Sequence, residues 1–183
     1  MHVEAKLEEL GLTLPEPAKL PPGVQASFAW VRVYGDRVYV SGHGPLAPDG
    51  TPAGPFGQVG ADISPEQGYE AARSTALAVL SSLKRELGDL DRVSAWLMVH
   101  GMVNAAPGFA QTTNVINGFS DLIVELYGTE AGTHARMAPG VVALPLGLAV
   151  VIGAELAISG LSVGQARYYY LTSENSPSTY SSE

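Results

Sequence analysis

The chain has 183 residues, 46% of them apolar and 15% charged, with a net charge of −8 and a pI near 4.9. That length suits one domain with a real core, and the composition excludes global disorder. The acidic balance disfavours nucleic-acid backbones, and the absence of cysteine excludes disulfides, thiolate catalysis and cysteine-based zinc sites.

The N-terminal MHVEAKLEELGL is charged and amphipathic, unlike a signal peptide. No apolar run approaches the roughly 20 residues that span a bilayer, so a cytoplasmic location and no membrane partner are expected. Val3, Leu7 and Leu10 share one face of a short helix over 3–10, which Gly11 stops. Residues 13–25 are proline-rich and read as extended.

Two β-rich runs follow, 28–34 and 37–41, with Gly35-Asp36 as a two-residue hairpin turn. From Gly42 to Gly60 the PDG and PAGP turn signals predict a long connection with room for one short strand. At Ser64 the pattern changes. Ser64 is a helix cap, Pro65 suits the first helical position and Gln67 completes a capping box. Ala72, Ala76, Val79, Leu80, Leu83 and Leu87 then recur at helical spacing up to Gly88.

Residues 92–103 read as a buried strand and 109–127 as a second long helix. On that helix Phe109, Val115, Ile116, Phe119, Leu122, Ile123 and Leu126 share a face, and Gly128 is the stop. Strands are expected over 134–143 and 148–158. The order β-β-(β)-α-β-α-β-β predicts an α+β fold, a mixed sheet with both helices packed on one face. The domain is expected to span 1–160, and the polar, Ser-rich segment 161–183 reads as a disordered tail.

No phosphate-binding loop, dinucleotide fingerprint or serine-nucleophile elbow is present. His2, His43, His100 and His134 show no i, i+4 pair, so no metal site is expected. Two polar islands stand out in apolar, Gly-rich strands: Ser41-Gly42-His43-Gly44 and Thr133-His134-Ala135-Arg136. A guanidinium on a strand expected to be buried needs a partner. Its planar fork suits a bidentate carboxylate, either an external ligand or an acid of the same chain. Pro139 places that strand at a sheet edge or a bulge. His134 reads as structural, and Asn117 equally as a helix buttress or a ligand contact.

The series SGHGPLAPDG, VGADISPEQGYEAARSTAL, GDLDRV, GMVNAAPGF, VINGFSDLIVELYG and GTHARMAPGVVALPLG, in order over about residues 3–158, resembles the YjgF/RidA family. It is most similar to the branch named endoribonuclease L-PSP/chorismate-mutase-like. The resemblance implies a chorismate-mutase-like (RidA-type) fold, a homotrimer and three clefts between subunits. It implies hydrolysis of 2-imino or enamino acids to 2-oxo acids and ammonia, with no cofactor. In that pattern Arg136 grips the substrate carboxylate, and Gly42, His43 and Asn117 line the site. The family's glutamate in the last strand falls on Val151, its next glutamate on Gly153 and its cysteine after the arginine on Ala138, with Met137 between.

Glu155 shares the face of Val151 but lies four residues, roughly 13 Å, along the strand. It could replace the missing base only through a bulge, and otherwise reads as a salt-bridge or surface residue. The retained Arg136 nonetheless makes deamination the leading expectation. Its rivals are dehydration, cyclisation or tautomerisation of a related substrate, with His43 as acid/base, or a non-catalytic module that binds a small carboxylate-bearing metabolite. Ribonuclease activity is disfavoured by the acidic charge.

Overall fold

Ser64 caps the longest helix as its sequence requires. In a computed structural model that describes residues 2–20, 22–23 and 26–159, the Ser64 hydroxyl accepts from Gln67 N–H at 3.2 Å and the Gln67 side chain accepts from Ser64 N–H at 2.9 Å. This capping box opens α2 (Pro65–Leu87), and Gly88 closes it in the left-handed region at φ 79°. The other elements are α1 (Val3–Glu9), β1 (Val31–Tyr34), β2 (Arg37–His43), β3 (Val93–Asn104), α3 (Thr112–Gly132), β4 (Ala135–Met137), β5 (Gly140–Val141) and β6 (Val150–Ile158).

The strands form one mixed sheet in the order β1-β2-β6-β3-β4, with β5 also pairing β3. Helices α2 and α3 pack on each other and on one face of the sheet. Alternation in the strands sends Val38, Val40, Val99, Ile152, Ala154 and Leu156 into that layer, where all are buried. Trp96 is sealed there between the rings of Phe119 and Tyr127, edge-on at 5.7 and 5.8 Å. On the opposite face Tyr39 and Met137 stay exposed.

Most expected elements are present. The hairpin turn lies at Gly35-Asp36, since Tyr34 pairs with Arg37. The strand expected over 134–143 is instead two short ones, β4 and β5, both parallel to β3. Pro139, which has no N–H, sits at the break and keeps only its carbonyl in the ladder, accepting from Val103 N–H at 3.1 Å. The 42–60 connection holds a β-bridge at Leu46–Pro52 rather than a strand. Residues 13–20 lack regular structure and are tied to this connection through Glu16 and Lys19 N–H donors. The expectation for 161–183 lies outside the described residues. Among those described, no helix is long and apolar enough to cross a membrane.

Candidate functional site

Arg136 sits on β4, the edge strand, paired in register with Val99 of β3. Its neighbours Ala135 and Met137 are exposed, while its own half-buried side chain reaches back to α3. There Nη1 donates to Ser120 Oγ at 2.9 Å and Nη2 to the Thr113 carbonyl at 3.4 Å. Among the described residues no carboxylate lies within ion-pairing distance of the guanidinium. Asp121, whose charge it feels, is occupied by the Tyr69 hydroxyl at 2.9 Å. A guanidinium has five donors, so most of this one's capacity remains for something else. It opens on a cleft of about 510 Å³ lined by Thr113, Ser120, Val124, Thr133, His134, Arg136 and Ala138.

His134 is held in one tautomer. Its Nδ1 lies 2.7 Å from the Gly132 carbonyl, which can only accept, so Nδ1 carries the hydrogen. In the neutral ring, Nε2 then accepts from the Ser120 hydroxyl at 2.9 Å. Burial lowers the His134 pKa, the Gly132 carbonyl opposes this, and the Arg136 charge lowers it further.

Gly42 and Val151 face a different cavity, about 340 Å³, walled by Phe28, Trp30, Leu46 and Leu148 with Lys19 beside them. A Cβ at Gly42 would stand 2.6 Å from Val151 Cγ1, so the pair requires glycine. Gly42 on β2 stands three strand spacings, roughly 14 Å, from β4, and Val151 on β6 stands two, roughly 10 Å. One chain therefore does not bring Gly42 and Val151 to Arg136.

His43 lines neither cavity. Val40 pairs with Ala154 but His43 with Ile152, a bulge that puts an extra residue in β2. The bulge turns Gly42 outward and His43 into the core, where it is 2% exposed. Its Nδ1–H donates to the Ser41 carbonyl at 2.6 Å and its Nε2 accepts from Ser82 at 2.9 Å. The ring also rests on Trp30, with centroids 4.8 Å apart. This environment is structural. Asn117 falls on the α3 stripe of Thr113, Ser120 and Val124 by its spacing but does not line the cleft.

Glu155 stands 3.6 Å from His100 on the exposed sheet face. The bulges of β2 and β3 leave the alternation of β6 intact, so Glu155 is not carried toward position 151. Sequence reasoning missed Thr113, Ser120 and Val124, whereas Thr133 belongs to the polar island that it singled out. Only the i, i+7, i+11 spacing of Thr113, Ser120 and Val124 on α3 hinted at a shared face.

Residues 4–156 match the family model described as "YjgF/chorismate mutase-like, putative endoribonuclease". Protein TCP17 of Trypanosoma cruzi is 40% identical over 153 residues, covering 84% of this chain and 92% of that protein. Among solved structures, Agrobacterium tumefaciens Atu1372, of unknown function, is similar with 34% identity and a TM-score of 0.74, covering 85% of this chain and 91% of that one. A Shewanella oneidensis MR-1 protein described as an endoribonuclease of the same provisional kind has 28% identity and a TM-score of 0.79, covering 86% and 100%. The chain belongs to the YjgF/chorismate mutase-like family that its motifs resemble, and it has that family's fold.

Proposed function

We propose that the protein binds a small carboxylate-bearing imine or enamine metabolite at Arg136 and hydrolyses it to a 2-oxo acid and ammonia. One observation carries this: a charged guanidinium, on an edge strand and facing a cleft, with no acid among the described residues within ion-pairing distance of it. A planar fork of this kind holds a carboxylate through two parallel hydrogen bonds. Holding the anion orients the adjacent C=N carbon for attack by water. Ala138 supplies an apolar wall.

The assembly in this reading is a cytoplasmic homotrimer, in which a second copy brings its Gly42 and Val151 surface toward the Arg136 cleft. The dispersal of these residues over one chain supports it, as do Tyr39 and Met137 left exposed on the open sheet face. Equilibrium sedimentation is expected to give three times the 19.1 kDa chain mass. A monomer at micromolar concentration would remove the shared cleft.

Calorimetric titration with a 2-oxo acid tests the anchor. Arg136→Ala is expected to weaken binding about 100-fold, the upper part of the range for a hydrogen bond to a charged group, and Arg136→Lys to restore only part of it. Equal affinity in wild type and Arg136→Ala would exclude this site. The apolar Val151 at the family's acid position favours a second reading: dehydration, cyclisation or tautomerisation of a related carboxylate. Turnover without ammonia release distinguishes it.

A further inference from the structure

The same four-part chain of hydrogen bonds occurs twice in this molecule. In the core, Arg85 Nη2 donates to Ser82 at 2.9 Å, Ser82 to His43 Nε2, and His43 Nδ1 to the carbonyl two residues before it. Beside the cleft, Arg136 Nη1 donates to Ser120, Ser120 to His134 Nε2, and His134 Nδ1 again to the carbonyl two residues before it. The two differ in access. His43 and Ser82 are 2% and 4% exposed and line neither of the two cavities described above, whereas Ser120 and His134 both line the cleft that holds Arg136.

The wiring at Ser120 has a direction. The hydroxyl accepts from a cation and donates to the lone pair of a neutral imidazole whose other nitrogen is anchored. A hydroxyl in that position can pass its proton to the ring while taking one from a group in the cleft. The last strand offers no such group, because Val151 stands there and Glu155 is paired with His100.

We infer that Ser120 is a catalytic residue of the Arg136 cleft and that His134, acting through it, accepts the proton of the attacking water. This rests on the imine-hydrolysis reading above and deepens it. With the substrate as its iminium, the water oxygen bonds to the C=N carbon and the π pair moves to nitrogen. The water proton passes to Ser120 Oγ as the Ser120 proton passes to His134 Nε2. The imidazolium then returns a proton by the same route to the amine nitrogen. The C–N bond breaks, ammonia leaves with its electron pair, and the hydroxyl proton goes back through Ser120 to His134 as the 2-oxo acid forms. That proton finally leaves with ammonia as ammonium.

The test uses the full-length protein and a 2-imino acid made from L-leucine by an L-amino-acid oxidase, with semicarbazide trapping to follow its loss. Calorimetric binding of the corresponding 2-oxo acid is measured alongside. Ser120→Ala and His134→Asn are each expected to lower the hydrolysis rate about 100-fold while the 2-oxo acid still binds. Ser120→Thr, which keeps a hydroxyl, is expected to recover most of the rate.

The wild-type rate is expected to fall as pH drops below the ordinary histidine range, because the base must be unprotonated. Arg136 is the charged group acting on His134, and its effect moves that limb to lower pH. His134→Asn is expected to lose the limb. Wild-type rates in both variants, or a limb that survives in His134→Asn, overturn the inference. So does covalent labelling of Ser120 by a fluorophosphonate, which would make it a nucleophile instead. Binding without hydrolysis by wild type leaves the carboxylate site standing and removes the relay. Absence of binding removes the site reading itself.

Discussion

Gly118→Val is expected to destabilise the protein by more than about 4 kcal/mol, enough to consume much of a small domain's stability. Gly118 lies in α3 where that helix crosses α2. A Cβ built there would stand 2.0 Å from the Tyr69 carbonyl oxygen and 2.8 Å from its carbon. Both are backbone atoms, so no rotamer change relieves the overlap and the helices must separate. Facing α2 is rich in small buried residues, Gly68, Ala71, Ala72, Thr75 and Ala76, and their short side chains fill the gap only at close approach. Separation would leave voids along that whole stripe.

Gly118→Ala is the discriminating companion. In an open helix, Ala would gain up to about 1 kcal/mol over Gly from helix propensity. Here it is expected to lose roughly 2 kcal/mol, within the range for overpacked cores. Urea midpoints for the two variants check this, and an alanine variant as stable as wild type would mean that the helices do not meet so closely. Because α3 also carries Ser120 and the Thr113 carbonyl that holds Arg136, partial separation should weaken 2-oxo acid binding as well.

The fold was legible wherever one local signal acted alone. The capping box and the apolar repeat on α2 fixed both of its ends. At α3 two signals competed. Phe109 matched the helical stripe, but its ring packs on Gly60, where a Cβ would stand 2.6 Å away. The helix therefore starts at Thr112, and at its far end Gly128, the expected stop, breaks it at φ 74° before a further turn to Gly132. A tertiary contact moved the first boundary, and no local pattern reports such a contact.

The site was legible in proportion to chemical rarity. A lone arginine among small residues on a strand announces itself, and Pro139 correctly placed it on an edge. The burial of His43 was not legible, because alternation through Tyr39 and Ser41 points it to the open sheet face. The bulge that reverses it depends on pairing with β6, more than a hundred residues later. Ser120 carries no signature at all. A serine within a helix is ordinary, and its meaning arises only when the chain turns back to bring His134 and Arg136 beside it.

The bulge at His43 has a thermodynamic consequence, a loss of stability in mild acid. Burial pulls the His43 pKa from 6.5 to about 4; the Ser41 carbonyl opposes this and the Arg85 charge adds to it. The folded state therefore excludes a proton that the unfolded chain accepts below pH 6.5. The contribution is fully present above pH 6.5, drains away as pH falls and is exhausted near pH 4. At 1.36 kcal/mol per pH unit, the loss from pH 7.5 to pH 4.5 is on the order of 2–3 kcal/mol.

His134, also lowered, acts with the same sign. The decisive comparison is therefore wild type against His43→Gln, which keeps a hydrogen-bonding group near Ser82 but does not titrate. His134 cancels between the two chains. The variant is expected to be less stable than wild type at pH 7.5 and to lose on the order of 2–3 kcal/mol less between pH 7.5 and 4.5 in urea unfolding. Asp49 and Glu66, whose pKa values are lowered by hydrogen bonds to Thr51 and Ser64, lose their contribution as pH falls through the carboxylate range, and both cancel between the two chains. Parallel stability curves for the two chains would show that His43 takes up its proton inside the fold, and that the layer between Trp30 and α2 admits water.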